Sequence, residues 1–241
     1  MGIRGEPVTA HTANSTYAER HPRWHAQDSG HKARAVWSFA QRLGLSPSHV
    51  VDVGCGAGGV TARLGHVWPV VEGWDTSAEA IAIAKREHPQ CSFTHGAFER
   101  SGQRADLILC LDVVEHVAGD VALMKALSGC AEHLIFRVPL DWSVLDACRP
   151  TRLQESLDHW GHVQLYDRRL LAQRLGEAGL TMHAITYDRV PPGPPRTWAG
   201  HVTGALRTLG DTTHPAPFAW LLGGWSVLVH ATRTAPVHAT R

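Results

Sequence analysis

Val50-Val-Asp-Val-Gly-Cys-Gly-Ala-Gly-Gly59 is a short β-branched run that empties directly into a glycine turn. An apolar run of this length suits a parallel strand buried on both faces. Glycines immediately after it let backbone approach a ligand closely, and the helix that follows aims its unpaired N–H groups at the same crevice. Strand, glycine turn and helix in this order open a doubly wound α/β sheet.

Working outward, apolar residues at Ala33, Val36, Trp37, Ala40 and Leu43 recur at helical spacing from about Gly30 to Leu43, and Gly44 stands where a C-terminal cap belongs. On the other side, strands are expected at Val70 to Trp74, Cys91 to Thr94, Ala105 to Leu111 and Leu134 to Val138, with Pro139 ending the pairing. Helices fall between them, from Ser77 (as cap) to Glu87 and from about Gly119 to Leu127. A helix from Arg168 to Ala178, stopped by Gly179, leads to strands at Leu180 to Asp188 and Ser226 to Ala231. The last two strands are separated by a long connection that opens with Pro191-Pro-Gly-Pro-Pro195 and holds a helix from about Trp198 to Leu209. A connection of that length is expected to cover a site or a partner.

The chain has 241 residues, which one α/β domain with insertions accommodates, and a formal net charge of +1, which implies no chain-wide attraction to nucleic acid or an anionic membrane. Five cysteines (Cys55, Cys91, Cys110, Cys130, Cys148) without paired spacing read as a reducing compartment. The polar stretch from Met1 to Arg23 lacks the apolar centre of a secretory signal, and no segment reaches the ~18 apolar residues of a membrane span. A cytoplasmic protein is the expectation.

Gly54, Gly56 and Gly59 also satisfy the G-x-G-x-x-G spacing of a nicotinamide or flavin site, with Asp75 about twenty residues onward as a ribose-binding acid should be. A dehydrogenase therefore competes. Asp52, at the end of the strand before the glycines, separates the two readings, because a dinucleotide does not call for a charge there. A cofactor carrying an ammonium and a sulfonium does. A strand-end Asp that caps the turn is the plainer alternative.

Through Val50 to Gly59, Gly73-Trp-Asp-Thr-Ser-Ala-Glu-Ala80 and Asp106-Leu-Ile-Leu-Cys-Leu-Asp-Val-Val-Glu-His-Val117 the chain resembles the class I S-adenosylmethionine-dependent methyltransferase superfamily. The resemblance runs from about Val36 to Leu180, and Asp112 to Val117 is similar to small-molecule enzymes related to the ubiquinone-biosynthesis O-methyltransferases. It implies a seven-stranded, mostly parallel Rossmann-like sheet with helices on both faces, and S-adenosylmethionine as cofactor. Asp52 and the loop residues Gly54, Cys55, Gly56 and Gly58 would then hold the methionine part, and Asp75, with Thr76 beside it, the ribose hydroxyls. The family often places an acid before an apolar residue after the third strand. Here that stretch is His95-Gly-Ala-Phe-Glu99, the acid is absent, and Phe98 would pack on the adenine face or serve as core. Asp112 would stand at the crevice edge, with His116 one turn on as a candidate base or as a helix cap.

Tyr17 to Asp28, Val138-Pro-Leu-Asp-Trp-Ser-Val144 and Gly161-His-Val163 are similar to bacterial methyltransferases of unassigned substrate. In that arrangement residues 1–29 form an N-terminal cover on a domain spanning 30–241, and Trp24, His25, Asp141, Trp142 and His159 face the acceptor. His162 is the first candidate for a general base and His116 the second. Residues 190–224 would make a partly apolar roof suited to a small organic acceptor rather than to nucleic acid. The seventeen histidines show no H-E-x-x-H, and the pairs His21/His25 and His159/His162 lack a recognised set of nearby ligands, so no metal is expected. A catalytically silent cofactor-binding protein is the remaining alternative.

Overall fold

The structure is a computed structural model that describes residues 28–148, 151, 154, 157–158, 161–190 and 198–235. Seven strands form one sheet: β1 His49–Val53, β2 Val70–Asp75, β3 Ser92–His95, β4 Ala105–Leu111, β5 Ala131–Pro139, β6 Leu180–Asp188 and β7 Ser226–Arg233. Their order is β3-β2-β1-β4-β5-β7-β6. The pairs β1–β2, β1–β4, β2–β3 and β4–β5 are parallel, while β7 runs antiparallel to β5 and β6.

The helices are α1 Ser29–Arg42, α2 Gly59–Leu64, α3 Ala78–Glu87, α4 Asp120–Ser128, α5 Val144–Ala147, α6 Arg168–Glu177, α7 Trp198–Thr212 and α8 Pro215–Leu222. Ser77 caps α3, its Oγ accepting from the Ala80 N–H at 3.2 Å. Gly179 turns the chain out of α6 at φ +73°. Pro139 still pairs with Ser226, so it is the last rung of the β5–β7 ladder rather than the residue beyond it. Pro215–Leu222 was not expected as a helix. Its sequence is PAPFAWLL, which has no polar face to signal a 3.6-residue period, while Pro215 in the first turn is compatible with a helix start.

Strand alternation builds a core on each face of the sheet. Val51, Val53, Ile108, Cys110, Leu134, Phe136 and Val138 point into one cluster, with Met124 and Leu127 of α4 and Leu171 and Leu175 of α6. Val50, Leu107, Leu109 and Ile135 point the other way, against Ala33, Val36, Phe39 and Ala40 of α1 and Leu64 of α2. The same period of two sends Asp52 and Arg137 toward the α1 face, two residues beyond Val50 and Ile135. Charges therefore arrive at the sheet's C-terminal edge beneath α1. No helix among the described residues is long and apolar enough to cross a membrane.

Candidate active site

At the end of β1, Asp52 is buried and its Oδ2 accepts from the Thr61 hydroxyl of α2 at 2.7 Å. Burial lifts this carboxyl from 3.8 to about 6; the Thr61 hydrogen bond opposes the rise, the Asp75 carboxylate adds to it, and Lys32 opposes it. An ionised group held this way is stabilised by any further cation. Asp75, at the end of β2, is fixed by backbone: the Gly56 N–H donates to its Oδ2 at 2.9 Å and the Ser77 N–H to its Oδ1 at 2.8 Å. Burial raises it as well, against those two hydrogen bonds. The two carboxylates bracket the glycine turn at the carboxyl ends of parallel strands, where open α/β sheets bind their ligands.

The turn itself needs glycine for packing as well as for approach. Gly54 has φ +73°, and a Cβ there would stand 2.4 Å from Cγ2 of Val113 in the turn after β4. Gly58 has φ +77°, and its Cβ would meet Cζ of Phe93 at 2.4 Å, so packing against the neighbouring strand is enough to require glycine here. The Cys55 side chain packs with Ile81, Ala84 and Phe93, and burial pushes its thiol far up, so only its backbone remains to face the crevice. Thr76 is exposed, and its carbonyl accepts from His95 Nε2 at 3.1 Å.

Two expected cofactor contacts change role. Phe98 is 0% exposed and packs edge-on to Trp74 with ring centroids 5.4 Å apart, so it is a core residue with no free face for an adenine. Asp112, in the left-handed region at φ 56°, spends its carboxylate on cations: Arg137 Nη1 donates to Oδ1 and Oδ2 at 2.5 and 2.7 Å, and Lys32 Nζ lies 2.6 Å from Oδ2. Burial would raise Asp112, but Arg137 and Lys32 hold it well below the usual carboxylate range. Arg137 also donates Nε–H to Asp188 at 2.7 Å, and Asp188 accepts from His31 at 2.6 Å. A ladder of charges thus runs from α1 across β4, β5 and β6. Sequence reading missed it, since Arg137 and Asp188 looked like ordinary strand residues. The available signal was an arginine inside the apolar run Leu134 to Val138, because a buried guanidinium must be paired. His31 and Lys32 stand in the first turn of α1, against the helix dipole, so their acidic partners decide their placement.

Beyond Asp112 the chain makes a 3₁₀ turn, Val114–His116, onto which a loop after β5 is stapled. Val163 and Gln164 donate their N–H groups to the Glu115 carbonyl at 2.8 and 3.1 Å, and His116 Nδ1 donates to the Gly161 carbonyl at 3.2 Å. This brings His116 and His162 face to edge with ring centroids 5.0 Å apart. His162 Nδ1 lies 3.1 Å from Asp141 Oδ2, while the Asp141 and Trp142 N–H groups both donate to the Tyr166 carbonyl. Trp142 itself is 45% exposed. Glu115 is fully buried, and burial, with the Asp112 carboxylate nearby, pushes it well above the usual range. Burial and the neighbouring His162 push His116 down to about 4, so it is neutral at pH 7 and a weak base, which counts against its role as a proton acceptor.

The structure therefore brings Asp141, His116 and His162 together at the turn after β4, whose Val113 packs on Gly54, and adds Glu115, which the sequence reading quoted only within the Asp106-to-Val117 stretch. One ligand atom each from Glu115, His116 and His162 lie within 4.8 Å of one another, a set of metal-ligating groups where none was expected. Trp24, His25 and His159 lie outside the described residues.

The family described as "Methyltransferase domain" matches residues 24–185. Trans-aconitate 2-methyltransferase of Mycobacterium sp. (strain KMS) is 42% identical over 65 residues, a match covering 26% of each chain. Ubiquinone biosynthesis O-methyltransferase of Coxiella burnetii (strain Dugway 5J108-111) is 32% identical over 92 residues, 35% of this chain and 39% of that one. The chain thus matches well under half the length of these curated relatives. Among solved structures, the magnesium protoporphyrin IX methyltransferase of Synechocystis PCC 6803 with bound SAH superposes with a TM-score of 0.60 at 16% identity, covering 96% of this chain and 90% of that one. That likeness is one of fold.

Proposed function

Because the chain belongs to the methyltransferase-domain family, we propose that it transfers a methyl group from S-adenosylmethionine to a small-molecule acceptor. The observation that carries this reading is the pair of carboxylates Asp52 and Asp75 on either side of the Gly54–Gly58 turn, one of them buried at a cost that a cationic cofactor offsets. The cofactor supplies an activated methyl group on a sulfonium. Asp52 faces its positive charge, and Asp75, already fixed by two backbone N–H groups, uses its remaining lone pairs for the ribose hydroxyls. The backbone of Gly54 to Gly56 lines the approach.

On the acceptor side stand Asp141, Trp142, His116 and His162. The Asp141 carboxylate takes the Nδ1–H of His162 and so turns Nε2, with its lone pair, to the acceptor. Alignment of acceptor and methyl donor provides most of the acceleration, since effective molarity alone offsets several kcal/mol of barrier, roughly 7–11 in well-oriented systems. The 190–224 connection, folded as α7 and α8, is assigned as the roof. Arg207 of α7 ties the two helices by donating to the carbonyls of Leu222 at 2.6 Å and Gly223 at 3.0 Å. The trans-aconitate and ubiquinone-pathway relatives support a small organic acceptor.

Calorimetric titration with S-adenosylmethionine, S-adenosylhomocysteine and NADH tests the assignment. Both adenosyl compounds should bind and Asp75→Asn should weaken them roughly 10- to 100-fold, as expected for loss of hydrogen bonds to a charged group worth ~1.5–3 kcal/mol. Binding of NADH in their place would refute it in favour of a dehydrogenase.

A further inference from the structure

Helix α7, Trp198–Thr212, carries two seams at helix-packing spacing. The inner one, Gly200, Thr203, Arg207 and Gly210, repeats three, four and three residues apart and is half-buried to buried. It is closed by α8: a Cβ at Gly210 would stand 2.8 Å from Phe218, and Arg207 donates to the carbonyls of Leu222 and Gly223. The outer seam, Trp198, Val202, Ala205 and Leu209, repeats four, three and four apart and is exposed along its length. Trp198 is 81% exposed, Leu209 48% and Val202 39%, with Leu206 beside them at 39%. Counting ~250 Å² for a whole tryptophan, these four side chains show roughly 400 Å² of apolar surface, as much as a lone chain usually leaves in its largest patch.

We propose that this outer seam is the interface of a homodimer, in which two copies of α7 pack antiparallel about a two-fold axis. Apolar residues alternating three and four apart keep one stripe turned toward a partner helix, which is how one helix accepts another. The antiparallel two-fold sets Trp198 against the partner's Leu209 and Val202 against the partner's Ala205, so each larger side chain meets a smaller one. No charge has to be desolvated. Between Trp198 and Leu222 only Arg207 and Asp211 are charged, and both are engaged on the inner side, Asp211 accepting from Arg189 and from Trp225 Nε1 at 2.8 Å. A lipid surface is the poorer match, because interfacial helices set lysines and arginines along their polar face, and the one basic side chain of α7 is spent on the carbonyls of Leu222 and Gly223.

Two such seams and their flanks bury roughly 1,000 Å², the small end of a specific interface, so the dissociation constant falls in the micromolar range. The interface stands independently of the cofactor assignment. It joins two copies through the connection between β6 and β7, and Arg207, which links α7 to Gly223 just before β7, carries the bracing from the outer seam to the sheet of each copy.

The test is sedimentation equilibrium of the full chain from about 1 to 200 μM, a range that spans a micromolar dissociation constant. The mass should rise from 26.3 kDa toward twice that value. Val202→Glu and Ala205→Lys should each raise the dissociation constant at least 10-fold, since each buries a charge at an apolar contact. The chain carrying both substitutions should dimerise more tightly than either single variant, because the antiparallel register sets the new carboxylate against the partner's new ammonium. Leu209→Gln, a milder change, should weaken the dimer about 5-fold or more. Far-ultraviolet circular dichroism and urea unfolding of each variant report folding separately. A chain that stays monomeric at 200 μM would overturn the proposal, and so would a dimer that all three single substitutions leave unchanged, which would move the contact to another face. A double variant weaker than both singles would refute the antiparallel register. Capture of a monomeric wild-type chain by phosphatidylcholine vesicles, lost in Leu209→Gln, would assign the seam to lipid and overturn the dimer. The mass of the unaltered chain decides the matter even where a variant fails to fold.

Discussion

Replacing Asp52 by asparagine should make the cofactor-free protein more stable and its cofactor binding weaker. The carboxyl is 2% exposed and lifted from 3.8 to about 6, chiefly by burial. Between those two values the folded chain holds a proton that the unfolded chain has released, so stability falls as pH rises through the window and the loss is complete above about 6. At 1.36 kcal/mol per pKa unit, the loss at pH 7 is about 3 kcal/mol. Asparagine keeps an oxygen to accept from Thr61 and removes the charge. For a chain of this size, with roughly 2–4 °C per kcal/mol, the variant should melt several degrees higher at pH 7, up to about 10 °C. The gain should fall to about half at pH 5, where most of the wild-type carboxyl is already protonated in the folded state. Calorimetric unfolding of both proteins at pH 7, 6 and 5, paired with S-adenosylmethionine titration, measures both sides. Affinity should drop at least 10-fold at pH 7 in the variant, and in the wild type it should decline as pH falls through 6. An equal or lower melting temperature for Asp52→Asn at pH 7, or a difference that does not vary with pH, would refute the account of Asp52 as a buried charge awaiting a cation.

Arg137→Met leaves buried Asp188 and half-buried Asp112 without their guanidinium and should cost about 3–5 kcal/mol, seen as a lower urea midpoint with an unchanged slope. Gly58→Ala forces a side chain into the left-handed region against Phe93 and should cost about 2–4 kcal/mol by the same assay, a loss that S-adenosylhomocysteine should not reverse. Tyr166→Phe removes a 2.6 Å hydrogen bond to buried Asp120 and should destabilise by about 1–3 kcal/mol. Native labelling with a thiol reagent should modify exposed Cys148 first and leave Cys55 and Cys110 silent, since burial pushes both of those thiols up; rapid modification of Cys55 would place its side chain in the crevice instead.

Local chemistry was enough to write most of the fold into the sequence. β1 and β4 fall where the β-branched and apolar runs place them, because a strand buried on both faces has few other residues it can use. Ser77 and Gly179 mark their helix ends through interactions that span three or four residues. Asp52, Asp75 and the glycines were legible for the same reason: they occupy one strand–turn–helix unit and the end of the next strand.

What only the tertiary structure decided was which distant side chains share a space. His116 and Gly161 are 45 residues apart and His31 and Asp188 are 157 apart, and no local period records either meeting. β4 and β5 must pair, and the loop after β5 must bond the Glu115 carbonyl, before Glu115, His116, His162 and Asp141 form one cluster. Phe98 and Gly58 show the converse. Each stood at a position suggestive of ligand contact, and each was claimed by packing, against Trp74 and Phe93, because close-packed interiors leave no unassigned volume.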